Sequence, residues 1–128
     1  MEYRSYNDVM RRFPTETAAI DHYITVEHPN GVLCANCGAG NVYQEVKRPK
    51  VFSCNSCKTT FSLFKHTIFF KSSTDIRKWM YAIHMYIRSH GEVTATQLQK
   101  EIGVTYKTAW RILRKVDVYA LSLSISEG

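Results

Sequence analysis

Apolar residues recur at helical spacing near both ends of the chain and alternate in strand fashion only in its middle. Tyr6, Val9, Met10 and Phe13 keep the spacing of a short helix. Pro14-Thr15-Glu16 opens a second: Thr15 can cap, Glu16 suits the positive end, and Ala19, Ile20, Tyr23 and Ile24 form one face. Pro29-Asn30-Gly31 ends it. Both helices are expected to pack on the strands in the middle of the chain. There residues 41–46 alternate, Arg48-Pro49-Lys50 reads as a turn, Val51-Phe52-Ser53 returns, and residues 59–63 supply a third strand. Beyond Ser73 or Thr74, either able to cap, a helix over 75–89 would turn Ile76, Trp79, Met80, Ile83, His84 and Ile87 inward, with Gly91 closing it. Thr94 and Gln97 have the spacing of a capping box for a short helix with Leu98 and Ile102 in its core, stopped at Gly103. Thr105 caps a third helix with Ala109, Ile112, Leu113 and Val116 on one face, Trp110 fitting either core or surface.

Short helix, glycine turn and longer helix make a helix-turn-helix, and the helix before it supplies the third member of a trihelical core. The predicted fold class is α+β, mostly helical: a small three-stranded antiparallel ribbon flanked by N-terminal helices and a C-terminal trihelical helix-turn-helix. The expected segments are 1–30, packing on the ribbon; 31–70, the ribbon; 71–122, the three helices; and 123–128, a tail.

The ribbon is inferred from the cysteines. All four fall in two pairs, Cys34-Ala35-Asn36-Cys37 and Cys54-Asn55-Ser56-Cys57, separated by the 16 residues 38–53. A two-residue gap lets the chain fold back in a knuckle that aims both sulfurs at one ion, and this is the spacing of a four-thiolate zinc site. The expected cofactor is one structural Zn2+, since four thiolates leave no coordination position for water or substrate. An iron–sulfur cluster, a redox dithiol or a pair of disulfides fits the spacing and a reducing compartment less well. Gly38 suits the first knuckle because it tolerates positive φ, whereas the second has Lys58 there, a poorer fit that adds a cation beside the thiolates. His66 lies close after the second knuckle, but no fifth ligand is needed, so it is read as a surface or packing residue.

Among 128 residues the net charge is +6, and 45% are apolar, enough for a core and too many for general disorder. Residues 46–74 contain no carboxylate but include Lys47, Arg48, Lys50, Lys58, Lys65 and Lys71. Lys107, Arg111, Arg114 and Lys115 form a second basic group. Such patches fit phosphate contacts, with double-stranded DNA as the expected partner and no small-molecule substrate. The N-terminus has no signal-like apolar core, and the longest apolar stretch, 79–87, is too short to cross a bilayer. A cytoplasmic, bacterial, nucleoid-associated protein with no membrane partner is therefore expected. In a helix-turn-helix the N-terminal residues of the last helix face base edges, which places Tyr106, Lys107, Thr108 and Arg111 in the major groove. Thr105, Arg114 and Lys115 would sit nearer phosphates, with Lys47, Arg48 and Lys50 of the ribbon turn as a second contact.

Several runs taken together resemble a known family. They are Phe13-Pro14-Thr15-Glu16, the two knuckles with Gly38 and Phe52, Phe61-Ser62, His66-Thr67-Ile68-Phe69, Arg77-Lys78-Trp79, Ala82-Ile83, and the run from Gly103 to Arg111 that includes Lys107-Thr108-Ala109-Trp110-Arg111. In this order they resemble the N-terminal region of IS1595-family (ISXO2-like) insertion-sequence transposases, over residues 10 to 116. Ala35 departs from the proline usual in that knuckle. The resemblance implies a zinc ribbon plus helix-turn-helix that binds a transposon's terminal repeats, with catalysis in a downstream RNase H-like domain holding two divalent metals. Asp117 and Glu127 are the only carboxylates after the third helix begins, so no such domain is expected within these residues, nor any enzyme activity from them. The leading expectation is a DNA-binding protein of transposase descent. A protein–protein adaptor derived from a transposase and an N-terminal fragment of a full transposase remain alternatives, with either a homodimer mate or a separate protein partner compatible with the sequence.

Overall fold

A computed structural model describes residues 3–127, with side chains described as far as Tyr119. Its elements in chain order are α1 (Tyr6–Arg12), α2 (Glu16–Glu27), β1 (Val42–Gln44), β2 (Val51–Cys54), β3 (Thr60–Ser62), α3 (Ile76–Arg88), α4 (Ala95–Ile102) and α5 (Tyr106–Glu127). This is the α+β, mostly helical arrangement expected, with one antiparallel sheet in the order β1-β2-β3. The chain forms two compact units, one of Thr15–Ser73 and one of Met1–Pro14 with Thr74–Gly128. The first thirty residues therefore do not act as a single segment: α1 joins the helical unit, and α2 joins the sheet.

In the sheet unit, Val42 pairs with Cys54 and Gln44 with Phe52 across β1 and β2, while Phe52 pairs with Phe61 across β2 and β3. Phe52 and Phe61 are both buried, with ring centroids 5.9 Å apart. The first strand is shorter than its alternation suggests because the hairpin turn takes over after Gln44. There the Glu45 N–H donates to Val51 O, the Val51 N–H donates to Arg48 O, and the Gln44 amide donates to Pro49 O. Val46, which alternation would place on the strand, is left 96% exposed. Thr15 caps α2 as expected, its hydroxyl accepting from the Ala18 N–H at 3.1 Å. Ala19 and Ile20 are fully buried, and Tyr23 meets the edges of Phe64 and Phe69 at 5.1 and 6.0 Å. Lys50 reaches from the hairpin turn to Glu16 in the first turn of α2, at 3.0 Å.

In the helical unit, the cap of α3 is Asp75, not Ser73 or Thr74. Tertiary structure decides this. The Asp75 carboxylate accepts from the Arg77 N–H at 2.8 Å and pairs with the Arg77 guanidinium at 2.7 Å. The same guanidinium donates to the carbonyls of Phe13 and Pro14 at 3.2 Å, placing a cation on the unsatisfied C-terminal end of α1. Further along, α1 covers a side of α3 that a single inward stripe does not foresee. Tyr81 is buried there beside Tyr6, its hydroxyl donating to Arg4 O, and His84 bonds the Tyr3 backbone. Ile87, expected inward, is 68% exposed in the last turn. Gly91, at φ +83, closes the helix with its N–H on Tyr86 O.

The Thr94–Gln97 capping box is present, and Gly103 ends α4 in the left-handed conformation. Thr105 accepts from the Thr108 N–H at 3.2 Å and so caps α5. Leu98, Ile102, Ala109, Ile112 and Val116 form the core beneath, all 3% exposed or less. Trp110, ambiguous in the sequence, is 47% exposed, and α5 continues through residues expected to be a tail. Leu98 is fully enclosed, so Leu98→Ala should cost about 2–5 kcal/mol, whereas Thr94→Ala should cost about 1 kcal/mol. Denaturant titration followed by helical circular dichroism checks both magnitudes.

Candidate metal centre and basic helix face

The two cysteine pairs fold into matching knuckles. In the first, the Cys34 N–H donates to Ala39 O and the Gly38 N–H to Cys34 O; in the second, the Cys54 N–H donates to Thr59 O and the Lys58 N–H to Cys54 O. Both turns place a left-handed residue after the second cysteine, Gly38 at φ +79 and Lys58 at φ +60. Lysine is less suited to that conformation than glycine, as the sequence implied. The Asn36 and Cys37 amides lie 3.3 and 3.4 Å from Cys34 Sγ, and the Cys57 amide lies 3.5 Å from Cys54 Sγ.

These repeated turns bring all four sulfurs within 4.8 Å of one another, with Cys34–Cys57 at 3.7 Å and Cys37–Cys54 at 3.6 Å. A tetrahedron of metal–sulfur bonds near 2.3 Å has edges of about 3.8 Å, so the cluster fits one metal ion. Charge within it is uneven. The Thr59 hydroxyl, then the Asn36 amide and the Thr59 N–H, pull the Cys57 thiol down to about 5. The Cys37 backbone amide is the main cause that lowers Cys34. The Ala39 amide pulls Cys37 down too, but desolvation and the neighbouring sulfurs outweigh it and push that thiol up to about 11. Four thiols this close cannot all ionise without a cation among them.

Asn36 and Thr59 did not stand out in the sequence. Their side chains approach Cys57 Sγ at 3.5 and 2.9 Å. The signal available was positional: Thr59 stands two residues after Cys57, as Ala39 stands two after Cys37. His66 is exposed and outside the cluster.

The other candidate residues fall into two sets. On α5, Thr105, Tyr106, Lys107, Arg111, Arg114 and Lys115 are exposed or half-buried, and Thr108 is half-buried with its hydroxyl 3.0 Å from that of Thr105. At about 100° per residue, Lys107, Arg111 and Arg114 fall on one stripe opposite the buried Ala109, Ile112 and Val116. The Arg114 guanidinium stacks over Trp110 at 5.3 Å, while Lys115 leaves the stripe and lies over Trp79 at 6.0 Å. In the ribbon turn Lys47 is exposed, but Arg48 donates to Glu45 at 2.8 Å and Lys50 is paired with Glu16. No helix among the described residues is long and apolar enough to cross a membrane.

Compared with known proteins, the chain is 32% identical over 108 residues to an uncharacterized protein in transposable element ISH50 of Halobacterium salinarum. The similarity covers 83% of this chain and 36% of that protein, so the chain spans about a third of the relative's length. It supports a transposable-element origin. No family model and no solved structure matches.

Native mass spectrometry should find one metal ion per chain in the folded protein and none in Cys54→Ser. Because Cys57 sits near 5 in the assembled cluster, it is already ionised there at neutral pH, so metal entering the assembled cluster at pH 7 should release fewer than four protons. Cys37, near 11, must lose its proton to the solvent, so affinity should rise with pH. Calorimetry in buffers of different ionisation enthalpy counts the protons, and a release of four would contradict this distribution of charge.

Proposed function

We propose that the chain is a zinc-stabilised DNA-binding protein, the site-recognition part of a transposase-like protein, and that α5 reads the major groove. The ion is assigned as zinc because four thiolates in a closed tetrahedral set suit a structural Zn2+. Its role is to hold the sheet unit together, since no coordination position remains for substrate. The observation that carries the recognition half is the placement of Lys107, Arg111 and Arg114. They form a basic, solvent-facing stripe on a helix whose opposite side is packed to 3% exposure or less, directly after a short capped helix and a left-handed glycine.

In this reading α4, the Gly103 turn and α5 form a helix-turn-helix with α3 behind it. Lys107 and Arg111 reach base edges, where either can meet guanine O6 and N7, and the Thr108 methyl can meet thymine. Tyr106 sits at the mouth of the groove. Thr105, Arg114 and Lys115 hold phosphates, with Arg114 held in orientation by Trp110. The likeness to a transposable-element protein supports terminal repeats of an insertion element as the target. These residues supply recognition, and strand transfer is assigned to residues outside them.

Lys107→Ala and Arg111→Ala should each weaken binding to the preferred duplex about 10- to 100-fold and leave thermal stability unchanged, because both side chains face solvent. Fluorescence anisotropy against preferred and scrambled duplexes measures this. Unchanged site selectivity in Arg111→Ala would remove α5 from the groove.

A further inference from the structure

The basic run 46–74 divides once its ion pairs are known. Arg48 is paired with Glu45 and Lys50 with Glu16, so two of the three hairpin cations already have a carboxylate partner within the chain. Lys65 and Lys71 have no carboxylate at ion-pair distance among the described residues, and both are exposed. They belong to the segment 63–72, which comes directly after β3.

That segment is firmly built. Leu63 and Phe64 are buried, and Phe64 meets Phe69 at 5.4 Å and Tyr23 at 5.1 Å. Consecutive turns run through it: the Thr67 N–H and hydroxyl both donate to Phe64 O, the Phe70 N–H donates to Thr67 O, and the Ser72 N–H donates to Phe69 O. With the apolar side pinned to α2, the outward side presents Lys65, His66, Phe70 and Lys71. Two of these are left-handed, His66 at φ +70 and Lys71 at φ +61. Glycine or asparagine would serve those backbone positions with less strain. The Lys71 ammonium lies 5.6 Å from the centre of the Phe70 ring.

We infer that segment 63–72, through Lys65 and Lys71, is the sheet unit's contact with the sugar–phosphate backbone of a DNA duplex, in place of the ion-paired hairpin residues Arg48 and Lys50. The inference rests on the duplex-binding reading of α5. Outward cations on a hydrogen-bonded turn, with no carboxylate at ion-pair distance among the described residues and with Lys71 beside the exposed Phe70 ring, suit a surface of evenly spaced phosphates and apolar sugar faces. They carry no pattern that reads bases, so this contact adds affinity without sequence preference.

The test compares two double variants of the full chain, Lys65→Ala with Lys71→Asn, and Arg48→Ala with Lys50→Ala. Asparagine tolerates the left-handed backbone at position 71, and metal content with circular dichroism verifies folding in both. Each phosphate contact contributes about 0.9 to the slope of log affinity against log salt. The loop variant should lose nearly two from that slope and weaken preferred and scrambled duplexes by the same factor, whereas the hairpin variant should keep the wild-type slope. A folded loop variant with the wild-type slope overturns the inference, as does a hairpin variant that carries the loss. If Arg111→Ala still weakens binding in that case, the reading of α5 survives and only this contact falls. If the wild-type protein binds no duplex, both fall together.

Discussion

Four cysteine sulfurs must meet within a few ångströms, and the sheet unit is organised around that requirement. Its strands are three or four residues long, too short to hold a hairpin together by pairing alone. The second knuckle fixes one end of β2, since Cys54 closes β2 opposite Val42 and begins that turn. The Ala39 amide is outweighed by desolvation and then by the neighbouring sulfurs, which raise Cys37, while Cys57, with hydroxyl and amide donors around it, falls. A divalent cation reverses the balance, and metal binding then becomes part of the folding free energy.

The helical unit is held by different means. Apolar burial centred on Leu98 and Ile112 packs α4 and α5, and the Asp75–Arg77 pair fastens α1 to the start of α3. Because Ala109, Ile112 and Val116 anchor one side of α5, its other side is presented in a fixed orientation. A basic stripe on a helix fixed in this way has a defined direction, which a recognition surface requires and a merely solvated helix does not need.

Much of this was legible in local chemistry. The cysteine spacing pointed to the ribbon, Thr15, Thr94 and Thr105 marked three helix starts, and Gly103 marked the turn between α4 and α5, because each signal acts within a few residues. The misses were tertiary. Asp75 replaced Ser73 or Thr74 as the cap because Arg77 links it to the end of α1, a contact between residues far apart in the chain. Tyr81 is buried because α1 covers a second side of α3, and Ile87 lies exposed in the last turn of that helix. The basic run 46–74 looked uniform, but Glu45 and Glu16 lie outside it and pair with Arg48 and Lys50. Asn36 and Thr59 became visible only when the two knuckles could be laid side by side.

The likeness to a protein of a transposable element and the outward stripe of α5 converge on one claim, that this chain reads duplex sequence. Selection of bound sequences from a random duplex pool, using folded protein with its metal confirmed, tests that claim most directly. Enrichment of a single motif is the predicted result. No enrichment above the starting pool would contradict it, and would reduce the basic surfaces to general electrostatic attraction.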